Sequence, residues 1–251
     1  MLGALPDAPA TAFDCTQGRE QGIGIAAPDA RTIRLSDGRL LSLASVEPFS
    51  ILAPGIADAE TRAALRLAEL ARGPLTFTPV SGRPDRYGRL PSLVFGPGGL
   101  LQAELAEAGL AIGVPTSEDP PCLALVTAAE ERARKGGAGF WGEAPGGSLV
   151  SGTWNMPGGR SDFVIAEGRV ESVGIRPRRT YLNLGGSWSK DLAIVIESAQ
   201  RERFGTDSEI NALVGRFVRV RGFLDGDDRP RLAVRSPLQI EIIDGSERQT
   251  R

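Results

Sequence analysis

The sequence predicts a mainly β protein with helices, an α+β chain carrying two modules in tandem. Three observations predict it. Short β-type runs bounded by turn residues recur through both halves. Helical periodicity is confined to a few segments of the first half and one interruption in the second. Between Gly136 and Asp162 periodicity lapses, and Gly136-Gly137, Pro145-Gly146-Gly147 and Pro157-Gly158-Gly159 punctuate the stretch. The boundaries expected are an N-terminal arm over 1–20, a first module over 21–145, a linker over 146–161, a second module over 162–245 and a tail over 246–251. A chain of 251 residues is long enough for each module to bury its own core.

In the first half, Gly22–Ala26, Thr32–Leu35 and Leu40–Val46 read as strands, and Ser36-Asp37-Gly38-Arg39 supplies an Asp-Gly hairpin between the last two. Asp58–Arg72 reads as a helix, with Asp58 as its cap and Ala64, Leu67, Leu70 and Ala71 on one face. Leu75–Val80 and Leu90–Phe95 form a strand pair around the polar loop Gly82–Gly88. Helices follow at Leu100–Ala108 and Pro121–Lys135, the latter running into Gly139-Phe140-Trp141. Glu130 and Glu131 followed by Arg134 and Lys135 suggest ion pairs on an exposed helix face.

The second half offers five β segments, Phe163–Val173, Thr180–Leu184, Leu192–Glu197, Arg216–Leu224 and Leu238–Ile243, with a helical stretch near Ser198–Leu213. Five strands with a helix after the third is the order of an OB-type barrel. Strand parity then assigns faces. Along Phe217–Phe223, Val218 and Val220 point one way while Phe217, Arg219, Arg221 and Phe223 point the other. Arginines alternating with aromatics on a sheet face suit bases and phosphates. The cluster Arg176-Pro177-Arg178-Arg179 falls on the loop between the first two of these strands, beside Tyr181.

Composition removes whole classes of chemistry. There is no histidine, so imidazole acid–base catalysis, Ser-His-Asp and Cys-His systems and His-ligated metal sites are excluded. The net charge of −2 gives no bulk attraction to polyanions, so such binding must come from local clusters. Only Lys135 and Lys190 are lysines, and the remaining positive charge is arginine. Cys15 and Cys122 cannot build a zinc site by themselves; one disulfide and two separate thiols both fit the sequence. No run approaches the roughly 20 apolar residues of a membrane helix, so no membrane span is expected. Met1-Leu-Gly-Ala-Leu-Pro lacks the charged and apolar regions of a signal peptide, and the compartment is left open.

The most specific cluster is Asp85-Arg86-Tyr87-Gly88-Arg89. Two arginine forks flank a glycine that lets backbone approach a phosphate. With the preceding hairpin, the segment Leu101–Ala111, Glu130–Arg134 and Gly139–Trp141, it resembles the thermonuclease (staphylococcal-nuclease-like) family over about residues 22–141. The resemblance implies a five-stranded barrel with three helices, in agreement with the element count above. It also implies calcium-assisted phosphodiester hydrolysis, in which carboxylates hold the ion, a glutamate activates water and two arginines bind the phosphate. The second half resembles the OB-type domain that follows such domains in some bacterial proteins, through Glu167–Val170, Thr180–Leu184 with Trp188, Leu192–Ile196 and Gly215–Gly222. Export is likewise an implication of family resemblance alone.

Matched residue by residue, the catalytic set is incomplete. The calcium-binding turn falls on Asp29-Ala30-Arg31-Thr32, which places the cation Arg31 at a carboxylate's position. The first phosphate arginine falls on Ser42 and the general base on Ser50, or on Leu41 and Phe49 after a one-residue shift. Glu47 stands at the second calcium carboxylate, and Arg89 alone is retained as a phosphate arginine. The expectation is therefore a catalytically inactive, nuclease-like protein that binds nucleic acid or a phosphorylated small molecule without a cofactor. Its contacts would be Arg86, Tyr87 and Arg89 in the first module and Arg179, Tyr181, Arg219 and Arg221 in the second. The alternatives are a divergent calcium-dependent phosphodiesterase using Glu47 and Asp29, and a scaffold whose partner is a protein.

Overall fold

The computed structural model describes residues 14–52, 58–115, 121–143, 149–151, 163–184, 192–225 and 231–243. Trp188, most of the expected linker and the tail lie outside the described residues. The chain is α+β, with two closed five-stranded barrels.

The first barrel is built from β1 (Glu20–Ala26), β2 (Thr32–Leu35), β3 (Leu40–Leu43), β5 (Gly73–Pro79) and β6 (Arg89–Gly96). The sheet order β3-β2-β1-β5-β6 closes through a parallel β3–β6 pairing, Leu41 opposite Leu90. Between β2 and β3 the chain turns at Asp37-Gly38, with Gly38 at φ 89°, as the Asp-Gly signal predicts. The expected single strand Leu40–Val46 is instead two. Ser45, at φ 63°, ends β3 and starts β4 (Val46–Pro48), which pairs antiparallel with β8 (Ala111–Gly113).

Helix α1 (Ala59–Leu70) buries Ala59, Ala63 and Leu67. Asp58 precedes it but sits in the left-handed region and makes no side-chain cap, contrary to expectation. After β6, β7 (Gly99–Leu100) folds back on it and leads into α2 (Leu101–Glu107), which packs on α3 (Leu123–Gly136). The barrel interior holds Ile33, Leu35, Leu41, Phe77, Leu93 and Leu101, among others. A disulfide joins Cys15 to Cys122, tying the chain ahead of β1 to the start of α3 across 107 residues.

The second barrel repeats that connectivity with β10 (Phe163–Ile175), β11 (Arg179–Leu184), β12 (Leu192–Glu197), β13 (Phe217–Asp225) and β14 (Arg231–Val234). Again the third and fifth strands pair in parallel, Ile194 opposite Leu232, and the first and fourth close the barrel antiparallel. The fifth strand is therefore Arg231–Val234, not the expected Leu238–Ile243, which supplies only β15 (Ile240–Ile242) on the edge of β13. The expected helix over Ser198–Leu213 is a 3₁₀ segment, Ser198–Phe204, and a short helix α5 (Asp207–Asn211). Gly205, at φ 95°, separates them, and Thr206 with Glu209 forms a capping box that restarts the turn. Within the segment expected as linker, Leu149–Ser151 forms β9, parallel to β10.

A third apolar cluster joins the modules. Phe163 and Ile165 of β10 pack with Phe49, Leu110, Ile112 and Phe140 of α4 (Phe140–Glu143). Trp141 meets Phe49 edge-on with ring centroids 4.8 Å apart.

Candidate functional site

The corner where calcium would be held in a thermonuclease is shaped by two turns. Asp29 closes the β1–β2 turn: its Oδ1 accepts from the backbone N–H of Arg31 at 2.8 Å and of Thr32 at 2.7 Å, and its Oδ2 accepts from the Thr32 hydroxyl at 2.8 Å. The break at Ser45 sends β4 toward β8 and brings Glu47 opposite that turn. There the Arg31 guanidinium donates to Glu47 Oε1 in a half-buried ion pair. An open cleft of about 600 Å³ lies alongside, with Glu47, Ser50, Asp58, Glu60 and Thr61 among its polar lining. Ser50, at the position aligned with the general base, donates to Glu60 Oε1 at 2.7 Å.

These groups do not fit a calcium ion. Asp29 is engaged by its own turn, and Glu47 is neutralised by a guanidinium that repels a second cation. Arg31 Nε and the Ser45 hydroxyl are buried here without a hydrogen-bond partner among the described residues, and the guanidinium N–H suits an anionic oxygen rather than a metal. Among the described residues no three acidic or cysteine side chains gather as a metal-holding group.

Across the barrel mouth, Asp85 organises the 85–89 loop. Its Oδ1 accepts from the N–H of Tyr87 and of Arg89, and its Oδ2 accepts from Arg89 Nε at 2.8 Å. Burial disfavours the charged carboxylate, but the backbone and side-chain hydrogen bonds from Arg89 outweigh it and hold Asp85 below its usual range. Arg89 also donates to the Thr32 hydroxyl at 3.3 Å, which joins the loop to the Asp29 turn. The exposed Tyr87 ring carries a guanidinium from Arg86 at 4.8 Å and from Arg89 at 5.0 Å. Arg86 and Tyr87 are thus exposed beside a half-buried Arg89 that is ion-paired with Asp85, and Arg31 and Glu47 stand near them through Thr32.

In the second barrel, parity holds: Val218 and Val220 are interior, and Arg219 and Arg221 face outward from it. What covers that face corrects the expectation of an open binding surface. Helix α3 of the first module lies against it, and Arg219 and Arg221 are only 3% and 5% exposed. Arg221 donates to Glu130 Oε2 at 2.8 Å and to the Gly113 carbonyl at 3.2 Å, while the same carboxylate accepts from Gly113 N–H. Arg219 reaches Glu167 at 2.7 Å and Glu131 and Glu241 at 2.9 Å. Both arginines are unavailable to a ligand.

Glu130 and Glu131 are the residues whose role the sequence did not disclose. Glu131 makes the expected i,i+4 pair with Lys135 and takes Arg134 as well, whereas Glu130, expected opposite Arg134 on an exposed face, is buried and pairs with Arg221. Burial opposes the charge of Glu131, but Arg134 and Arg219 hold its carboxyl below the usual range. The hidden signal was a pair of outward arginines on β13 matching a pair of adjacent glutamates on α3.

Arg179 and Tyr181 stay on the surface of β11, far from the Arg89 loop in sequence and carried by the other barrel. Arg179 donates to Glu197 at 2.8 Å, and the Tyr181 side chain and Glu197 together push its already high pKa upward. No protein-family model matches the chain, and no curated protein matches it in sequence.

Proposed function

We propose that the first module is a thermonuclease-type barrel that no longer cleaves, and that the protein binds nucleic acid or a phosphoryl ligand without hydrolysing it. The observation that carries this reading is the Arg31–Glu47 ion pair. It puts a cation where the resemblance calls for a metal carboxylate, and it engages Glu47, which the resemblance aligns with the second carboxylate. With Ser50 or Phe49 at the base position, attacking water lacks a general base, a loss of roughly 10²–10⁴ in rate. Binding is supported by the exposed Arg86 and Tyr87, which offer a guanidinium fork and a ring face beside the half-buried Arg89 that Asp85 holds in place.

Incubation of the protein with a single-stranded oligonucleotide in calcium tests the reading. The expected result is an intact strand retained by the protein, with affinity falling steeply as salt rises. Calcium-dependent cleavage abolished by Arg89→Ala overturns it in favour of a divergent phosphodiesterase. Absence of both cleavage and binding leaves the scaffold reading, which gains support from the engagement of Arg219 and Arg221 between the modules.

A further inference from the structure

We infer that the second barrel governs the Arg31 corner of the first module. Docked, it holds Glu47 against Arg31 through the β4–β8 strand pair, with Arg221 as the positioning residue, so that Glu47 competes with an anion for that guanidinium. The anion rests on the reading above, whereas the strand pair and its clamp stand independently of it.

Glu47 is the middle residue of β4. Among the described residues β4 and β8 form a sheet of their own, apart from those of both barrels. So short a pair of strands is marginal by itself, and packing on its two faces decides where Glu47 stands. Cross-strand partners share a face, and the partners are Val46 with Gly113, Glu47 with Ile112 and Pro48 with Ala111. Val46 and Ala111 join the core of the first barrel. Ile112, fully buried, packs instead in the cluster that holds Phe163 and Ile165 of β10. Glu47 therefore stands on the face that the second barrel covers. Ala30, next to Arg31 in the chain, is buried in the same cluster, so both members of the ion pair border the junction.

A charge pair closes the far edge of β8. Gly113 N–H donates to Glu130 Oε2 at 2.8 Å, and the Gly113 carbonyl accepts from Arg221 at 3.2 Å, where a further strand would otherwise pair. Arg221 also donates to Glu130 at 2.8 Å, so a guanidinium from β13 and a carboxylate from α3 grip one residue between them. Glycine admits that grip: a Cβ at 113 would lie 3.3 Å from Arg221 Nη1 and closer still to Leu123 and Thr127. From Gly113 the ladder to β4 continues on both sides, with Val114 N–H donating to the Ser45 carbonyl at 2.9 Å and Phe49 N–H to the Leu110 carbonyl at 3.1 Å. Releasing Arg221 loosens β8, then β4, then the hold of Glu47 on Arg31. Arg31 adjoins Thr32, whose hydroxyl accepts from Arg89. A guanidinium freed from Glu47 thus adds one cation beside Arg89.

The test compares four full-length chains: wild type, Glu47→Gln, Arg221→Met/Glu130→Gln, and that double variant with Arg31→Ala added. The double variant strands no buried charge, which separates loss of the clamp from unfolding. Amide hydrogen exchange followed by NMR reads the strand pair with no ligand present. Protection of the Val114 and Phe49 N–H groups is expected to fall about tenfold in the double variant, the scale of one lost hydrogen bond, while the β2–β3 ladder keeps its protection. Fluorescence anisotropy with a labelled oligothymidylate of about 12 nucleotides reads the corner. The slope of log K against log salt is expected to steepen by about 0.7, one more phosphate contact on a single strand, in both Glu47→Gln and the double variant. Adding Arg31→Ala should return it to the wild-type value. The inference is overturned if the double variant exchanges as wild type, or if the slope steepens in Glu47→Gln and not in the double variant. If no chain binds the oligonucleotide, the binding reading and the competition at Arg31 both fail, and the exchange result alone upholds or overturns the hold of the second barrel on Glu47.

Discussion

Replacing Arg221 with methionine removes the cation from the best-buried ion pair between the modules. Arg221 is 5% and Glu130 3% exposed, so little water can replace the lost guanidinium. Among the described residues Glu130 then retains only the Gly113 N–H as a donor, and its charge stays buried. Breaking a buried pair from one side costs about 3–5 kcal/mol, a large fraction of the roughly 5–15 kcal/mol typical of whole proteins. The double variant Arg221→Met/Glu130→Gln should recover most of that loss, because the neutral amide oxygen still accepts from Gly113 and no charge is stranded. Urea unfolding of wild type, both single variants and the double variant closes the cycle. A single-variant loss below about 1 kcal/mol, or a double variant no better than Arg221→Met, refutes the reasoning that the interface is held by a desolvated charge pair.

Other consequences are open to direct measurement. Reduction of Cys15–Cys122, or Cys15→Ser with Cys122→Ser, releases a 107-residue loop and should cost about 2–4 kcal/mol, read as a lower urea midpoint. Phe140→Ala should cost about 3–5 kcal/mol, because the ring is fully buried against Phe49 and beneath Arg62; an unchanged melting temperature would place that cluster outside the cooperative core. Glu131 is held below its ordinary value of 4.5 in the folded chain. Its contribution is therefore complete above that value and is lost as pH falls through the folded one, so wild type should lose more stability than Glu131→Gln on acidification below about pH 4.5.

Local signals were legible where local chemistry decides the outcome. Asp37-Gly38 fixes its hairpin because a short turn of that kind wants a positive φ at the glycine. The alternation from Phe217 to Phe223 sorts valines inward and arginines outward because strand parity leaves no other arrangement. Alternation, however, tells which way a side chain points and not what lies over it. Arg219 and Arg221 meet glutamates 88 and 91 residues earlier in the chain, and that meeting depends on how α3 docks. Arg231–Val234 escaped notice because its identity as a strand comes from parallel pairing with β12, a partnership its four residues do not advertise. At the Asp29 turn the cation Arg31 was readable, whereas its ion pair with Glu47 needed the bend at Ser45 to bring the two together.

The way α3 faces both barrels bears on how this protein can be taken apart. Cut after Trp141, the N-terminal half would present Glu130 to solvent on a surface shaped to be dry, next to Phe49 and Ile112 stripped of their cover from β10. The C-terminal half would be left with Arg221 stripped of Glu130 and the Gly113 carbonyl, while Arg219 would lose Glu131 and keep Glu167 and Glu241. Neither piece is a portable module, and dissection would have to neutralise Glu130 and Arg221 before either fragment stood as a body of its own.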